Sequence, residues 1–198
     1  TNATVDVSTR GGTTAYSSST VTLSNTVNAV NDAPVASGSA TLTAIDEDTA
    51  NPSGATVSSL FSSNFSDSTD TVSGGSSANT LAGIAITSYT RDATKGEWQY
   101  STNGSSWTTI GSSISAASSS LTFKSTDYLR FLPAANWNGS APTLTVALID
   151  SSTTVTTNAT VDVSTRGGTT AYSSSTVTLS NTVNAVNDAP VASGSATL

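Results

Sequence analysis

The chain has 198 residues, and its formal net charge of −7 comes from 13 acidic and 6 basic residues. This acidic balance argues against a nucleic-acid partner, because binding to phosphate requires a basic surface. The sequence contains neither His nor Cys, so disulfides, zinc–thiolate sites and the usual nucleophile–base pairs are excluded, and we predict no enzymatic activity. No apolar stretch approaches the roughly 20 residues of a membrane helix, so this segment is not expected to insert into a membrane.

The first part of the sequence is repeated exactly at its end. Residues 1–42 reappear as residues 157–198, which fixes a repeat period of 156 residues. A period of this length is the size of one ordinary domain, so each period is expected to fold as a separate unit. The segment Asn31-Asp32-Ala33-Pro34 marks the boundary, because Pro ends a strand ladder and fixes an extended chain. We divide the chain into the C-terminal part of a preceding repeat (1–31), one complete repeat (32–187) and the start of a following repeat (188–198).

Composition and local patterns predict an all-β unit. Ser and Thr make up more than a third of the residues. Thr and Val favour strands, whereas Ser, Asn, Asp and Gly favour turns. Residues 57–61 are predicted as a short helical turn, and the pair Asn103-Gly104 predicts a hairpin. Many short strands separated by turns indicate a β-sandwich. In chain order the predicted strands are 40–45, 84–89, 97–101, 107–110, 121–123, 129–132, 144–149, 159–163 and 176–186.

Acidic residues cluster in predicted loops and at the unit boundaries. The candidate groups are Asp46-Glu47-Asp48 after the first strand, Asp67 and Asp70 in one loop, Asp150 at a strand end, and the linker pairs Asn31-Asp32 and Asn187-Asp188. Three consecutive acids repel one another unless solvent or a cation screens them. Calcium takes about 6–8 oxygen ligands from carboxylates, carbonyls and Asn side chains. A solvated acidic loop that keeps the surface soluble is the alternative interpretation, but the pairing of linker acids with loop acids favours Ca²⁺.

Taken together, these segments resemble a known family. The linker Val30-Asn31-Asp32-Ala33-Pro34-Val35, the acidic Ile45-Asp46-Glu47-Asp48-Thr49, the 65–70 loop, Gly96-Glu97-Trp98-Gln99-Tyr100-Ser101 and the 129–139 segment carry the resemblance. Their ordered set is similar to the cadherin-like and immunoglobulin-like extender repeats of giant bacterial RTX adhesins. The resemblance implies a tandem array of identical immunoglobulin-like or cadherin-like β-sandwiches outside the cell. Such a stalk is secreted, is anchored at the bacterial surface through another part of the protein, and spaces an adhesive tip from the cell.

The resemblance also implies calcium at the junctions between adjacent identical repeats, which are the predicted partners. Asn31 and Asp32 are expected to meet Glu47 and the Asp67–Asp70 loop at one junction. Asn187 and Asp188 are expected to do the same at the other junction, with Asp150 contributed by the preceding domain. Asp46 and Asp48, on either side of Glu47, complete the candidate ligand set.

Two further questions stay open in the sequence. The alternative function is an adhesive module that binds a glycan or another surface, in which Trp137 stacks on a sugar beside Asn136 and Asn138. The other question is which duplicated end completes the sandwich. We expect 157–187 to do so rather than 1–31, because its linker acids then continue the chain in order.

Overall fold

The computed structural model describes residues 2–195 and is all-β, with strands in several sheets and few helical residues. The only α-helix in this range is Val57–Phe61, and 3-10 turns lie at Ser62–Asn64, Ser68–Asp70 and Ala117–Ser119. The strands are β1 Val35–Ala36, β2 Ser39–Thr41, β3 Ile45–Asp46, β4 Ala55–Thr56, β5 Phe65–Ser66, β6 Leu81–Tyr89, β7 Gly96–Ser101, β8 Thr108–Thr109, β9 Ser120–Lys124, β10 Tyr128–Pro133, β11 Gly139–Ser140, β12 Leu144–Asp150, β13 Ala159–Val161, β14 Tyr172–Ser180 and β15 Thr182–Asn184.

The largest sheet has six strands in the order β13-β9-β6-β12-β14-β2. Its pairings are antiparallel except for β14 with β2, which run parallel. On β12 and β14, Leu144 pairs with Leu179 and Val146 with Val177. β6 and β12 are inner strands, and most of their residues are buried. Their sequences are therefore nearly continuous apolar runs.

The second sheet has four strands in the order β4-β10-β7-β8. The hairpin predicted from Asn103-Gly104 joins β7 to β8, where Tyr100 pairs with Thr108. Its loop is longer than two residues, and the Asn103 side chain accepts hydrogen bonds from the amides of Ser105 and Ser106, each at 2.9 Å. Two small sheets, β11-β15-β3 and β1-β5, complete the unit.

Side chains of both larger sheets meet in one hydrophobic core. Ile84 and Leu148 come from the six-stranded sheet, whereas Trp98 and Phe131 come from the four-stranded sheet. The rings of Trp98 and Phe131 are 5.6 Å apart in an edge-to-face arrangement. Trp98 Nε1 donates to the Pro142 carbonyl at 2.6 Å, so this fully buried ring has its polar atom satisfied.

Arg130 is a buried cation held by neutral partners. Its Nε donates to Gln99 Oε1 at 2.8 Å and its Nη1 to Asn51 Oδ1 at 2.6 Å. The guanidinium carbon lies 4.1 Å from the centre of the Trp107 ring, which is within the range of a cation–π contact. These contacts attach the loop before β4 to the face of the four-stranded sheet.

The two copies of the duplicated segment have different structures. Residues 157–187 supply β13, β14 and β15, as expected, whereas residues 2–31 contain no strand. Val177 and Leu179 are 0% exposed, but the identical Val21 and Leu23 are each 97% exposed. The local turn is the same in both copies, since Gly11 N donates to Tyr16 O and Gly167 N to Tyr172 O, each at 2.9 Å. The turn is therefore set by local sequence, and the strands are set by their neighbours.

No helix within residues 2–195 has the length and apolar character needed to cross a membrane.

The close approach of β6 to β9 gives a stability prediction. A Cβ at Gly83 would lie 2.2 Å from the Phe123 carbonyl oxygen and 3.2 Å from Lys124 Cα, and both are backbone atoms. We expect Gly83→Ala to lower the free energy of unfolding in urea by about 1–3 kcal/mol. Gly111→Ala is the matched control, because nothing lies within 4 Å of its Cβ, and it should change stability by less than about 0.5 kcal/mol. Equal effects of the two substitutions would contradict the described packing.

Candidate metal sites at the two ends of the unit

β14 and β15 run along the length of the unit and define its two ends. Tyr172 pairs with Ile149, which precedes Asp150, whereas Asn184 pairs with Asp46. Twelve residues at about 3.3 Å each separate Tyr172 from Asn184, so the two ends are at most about 40 Å apart. We call the end that holds Asn31, Asp32, Asp67, Asp70, Asn79 and Asp150 the proximal end. The end that holds Asp46, Glu47, Asp48, Asn138, Asn184 and Val186 is the distal end.

Three carboxylates of the proximal end come from two local structures, one 3-10 turn and the end of one strand. Asp67 directly precedes the 3-10 turn after β5, Asp70 ends that turn, and Asp150 is the last residue of β12. All three are buried, with 4%, 8% and 0% of their surface exposed. β12 is an inner strand of its sheet, so it carries Asp150 into the interior of this end.

The linker before β1 binds these carboxylates directly. Asp32 N donates to Asp70 Oδ1 at 2.8 Å, and Asn31 Nδ2 donates to Asp150 Oδ2 at 3.3 Å. The predicted meeting of Asn31 and Asp32 with the 67–70 loop is therefore observed. Asp150 lies at this proximal end as well. It was expected at the opposite end, beside Asn187 and Asp188, so that expectation was wrong.

Asn79 connects the proximal residues, and the sequence reasoning missed it. Its Nδ2 donates to Asn31 Oδ1 at 2.8 Å and to Asp70 Oδ2 at 3.0 Å, while its backbone amide donates to Asp67 Oδ2 at 2.6 Å. Asn79 lies two residues before β6 in a Ser- and Asn-rich stretch, where nothing local distinguishes it. Its position just before a long buried strand was the one feature of the sequence that could have indicated its role.

The proximal end concentrates negative charge, and no ion pair within residues 2–195 involves its carboxylates. Burial raises the pKa of Asp67, and the nearby Asp70 and Asp150 carboxylates raise it further, while the hydrogen bond from the Asn79 amide opposes the shift. Asp67 Oδ1 is buried and has no hydrogen-bond partner among the described residues. The ion pairs within residues 2–195 are Arg91–Glu97 and Lys95–Asp92, both elsewhere. Buried charge without a partner is unfavourable, so this arrangement suits a bound cation.

The carboxylates alone do not form a complete metal shell. Within residues 2–195, no group of three or more acidic side chains is close enough to hold a metal ion by itself. A calcium ion at either end would therefore need amide or carbonyl oxygens as well, or carboxylates from a neighbouring unit.

The acidic triplet lies at the distal end. Glu47 is buried, with its Oε1 accepting from Val186 N at 2.7 Å and its Oε2 from Asn138 Nδ2 at 3.0 Å. Asp46 Oδ1 accepts from Asn184 Nδ2 at 3.1 Å. Glu47 does not meet Asn31 and Asp32 of its own unit, so that expectation was wrong. The reason is the parallel pairing of β3 with β15, which carries the triplet to the far end of the unit.

The other candidate ligands at the distal end are Asp48, Asn187 and Asp188. Asp48 adopts a left-handed backbone with φ 61°, and its Oδ1 accepts from Asn136 N at 2.8 Å. Asn187 and Asp188 follow Val186 as exposed residues. Asn187 Nδ2 donates to the Asp188 carbonyl at 3.1 Å, as Asn31 does to Asp32 at the same distance. The two linker copies thus share a local conformation.

The residues named for glycan binding have partners within the unit. The ring of Trp137 is partly buried and lies 6.1 Å from the Phe131 ring in an edge-to-face arrangement. Asn138 donates to Glu47, and Asn136 is tied to Asp48 through its amide. Trp137 is therefore attached to the core and is not the surface-exposed ring that the sequence suggested.

No family model matches the chain, and neither the curated proteins nor the solved structures contain a match to it.

The proximal charge gives a prediction for the metal-free protein. Asp67→Asn removes one of the mutually repelling carboxylates, keeps an acceptor for the Asn79 amide and adds a donor toward Asp70. We expect it to raise the melting temperature measured in EDTA. Asp92→Asn is the control with the same charge change, because Asp92 is partly exposed and already has favourable partners in Lys95 and Thr94, so its substitution should not raise the melting temperature. A fall in melting temperature for Asp67→Asn would contradict the interpretation that the proximal carboxylates repel one another in the metal-free protein.

Proposed function

We propose that the chain is a structural extender of a cell-surface adhesin, a unit that adds length and becomes stiff when calcium binds at its junctions. The unit is an immunoglobulin-like or cadherin-like β-sandwich repeated in tandem outside a bacterial cell. The observation that carries this proposal is the position of the acids. They form two clusters at opposite ends of one unit, and each cluster adjoins a copy of the same linker.

Because the two linker copies are identical, the distal cluster of one unit and the proximal cluster of the next adjoin the same linker. Val186 N donates to Glu47 of its own unit, and Asp188 lies two residues later. In the following unit Asp188 takes the role of Asp32, whose amide donates to Asp70 of that unit. The two amides are separated by at most about 7 Å of chain, so Glu47 of one unit faces Asp70 of the next across a very short linker.

The chemistry of this junction fits calcium. Its donors are carboxylates, Asn side chains and backbone carbonyls, and a hard cation prefers these oxygens to nitrogen or sulfur. Asp67 provides a buried oxygen that has no hydrogen-bond partner within residues 2–195. The proximal residues that would hold the ion are Asp32, Asp67, Asp70 and Asp150. The distal residues are Asp46, Glu47 and Asp48 of the preceding unit.

Shared coordination explains how the ion stiffens the array. A cation held by both units favours the one hinge geometry in which all ligands converge, and the gain follows mass action. Without the cation, the acids of the two units repel each other and the hinge loosens. Extracellular calcium modules bind at about 10⁻⁴–10⁻³ M, so such an array is flexible before secretion and rigid after it.

Small-angle X-ray scattering on a chain of two consecutive periods tests this proposal. We expect the maximum dimension to be larger and better defined in millimolar calcium than in EDTA. Glu47→Gln in the first unit should remove most of the calcium response, because it deletes one charged ligand at the shared junction.

Glu97→Gln is the matched control for this experiment. Glu97 is the only other Glu in the sequence and pairs with Arg91 on β7, so the calcium response should be kept. A scattering profile of the unsubstituted chain that is the same in calcium and in EDTA would refute the proposed stiffening.

A further inference from the structure

A pocket on the four-stranded sheet leads to the buried cation of Arg130. Its volume is about 260 Å³, and its walls include Asn51, Ser53, Trp107 and Tyr128. Within the described part of the chain, no acidic residue lines it. None of its lining residues belongs to the proximal or the distal cluster, so the pocket is built from other residues than the proposed calcium sites.

Arg130 has no anionic partner within residues 2–195. Only 6% of its surface is exposed, and neither ion pair of this range involves it. Its hydrogen bonds go to neutral oxygens of Gln99, Asn51 and Pro52. Burial lowers the pKa of Arg130, yet a guanidinium keeps its proton at neutral pH. A full positive charge is therefore buried without a counter-charge, which is unfavourable, and a bound anion would relieve this cost.

One nitrogen of this guanidinium is left for a ligand. Nε and Nη1 are both used, whereas Nη2 has no hydrogen-bond partner among the described residues. Nη2 is also not one of the fully enclosed polar atoms that lack a partner. Because Arg130 lines the pocket and is otherwise buried, the pocket is the route by which a ligand reaches the two N–H groups of Nη2.

The guanidinium is held in place before any ligand arrives. Its carbon lies 4.1 Å from the centre of the Trp107 ring. That ring fits only because position 54 is Gly, since a Cβ at Gly54 would lie 2.3 Å from Trp107 Cη2 and 2.9 Å from the Leu129 carbonyl oxygen. Stacking on Trp107 and three hydrogen bonds fix the Arg130 side chain, so binding an anion costs little ordering.

We infer that this pocket binds a carboxylate, carried by an acidic sugar or by a small organic acid. The planar guanidinium matches the two oxygens of a carboxylate, and a single cation in a chain of net charge −7 favours a monoanion over a doubly charged phosphate. Ser53 and Tyr128 add hydroxyl groups to the wall and Asn51 adds an amide, which suits a hydroxylated ligand. The volume lies just below the range of about 300–1,000 Å³ for pockets that hold drug-sized molecules, so the ligand is about the size of one sugar ring. This site needs no calcium and goes beyond the extender role.

Titration of the ¹⁵N-labelled full chain in calcium-free buffer tests the inference, with Trp107 as the reporter. Galacturonate should shift the indole N–H resonance of Trp107 saturably, because its carboxylate binds the cation against that ring, and should leave the resonance of the core residue Trp98 in place. Galactose, which has a hydroxymethyl group where galacturonate has the carboxylate, should not bind. Acetate distinguishes the two sources of the carboxylate. Binding of acetate as tight as that of galacturonate assigns the pocket to small organic acids, and weaker binding assigns it to acidic sugars.

Asn51→Asp is a variant that neutralises the cation without changing the shape of the pocket. Asn51 Oδ1 lies 2.6 Å from Arg130 Nη1, so the new carboxylate becomes an internal counter-ion. We expect a higher melting temperature and at least about tenfold weaker binding of galacturonate, since the ligand loses the charge that it would neutralise. Asn25→Asp is the matched control, because Asn25 is exposed in a segment without strands, and it should change neither property.

Three results would overturn the inference. Galacturonate could give no saturable shift of the Trp107 resonance, or galactose could bind equally well. Unchanged galacturonate affinity in Asn51→Asp would be the third, because binding would then not depend on the charge of Arg130.

Discussion

The antiparallel ladder between β12 and β14 is the interaction on which the rest of the structure depends. It places Leu179 and Val177 opposite Leu144 and Val146 in the core. Together with the parallel pairing of β15 with β3, it sets the distance between the ends, because the chain from Tyr172 to Asn184 begins beside Asp150 and ends beside Asp46. Loss of this ladder would open the core and separate β14 from the strand that carries Asp150. The same ladder therefore contributes both to stability and to the spacing of the two acidic clusters, as the proposed extender requires.

The duplicated segment separates local from tertiary determinants of structure, because one sequence is present in two surroundings. The Gly-Gly turn and the linker hydrogen bond form in both copies. The strands form only where β12, β9 and β2 are neighbours, since isolated strands have no partners for their backbone groups and no core for their apolar side chains. The turn at Gly11 forms although no strand forms at Leu23, so the turn does not depend on the strands.

Much of the fold was predictable, because β6, β7, β9, β10, β12 and β14 have enough alternating or continuous apolar residues to reveal a strand. The prediction of residues 57–61 as a helical turn was also confirmed. The strands β1, β4, β5 and β11 were missed, since two residues carry no periodicity and depend on a distant partner. At the site, the proximal grouping of Asp32 with Asp67 and Asp70 was predicted. The distal position of Glu47 and the role of Asn79 were not, because both depend on which strands pair.

The proposed stiffening requires a cation that two adjacent units share at each junction. A crystal structure of two consecutive units grown in calcium tests it most directly. We expect an ion between the units, with oxygens of Glu47 from the first unit and Asp70 from the second at about 2.3–2.6 Å. A junction in which these carboxylates are separated by solvent, with calcium absent or held by one unit alone, would contradict it.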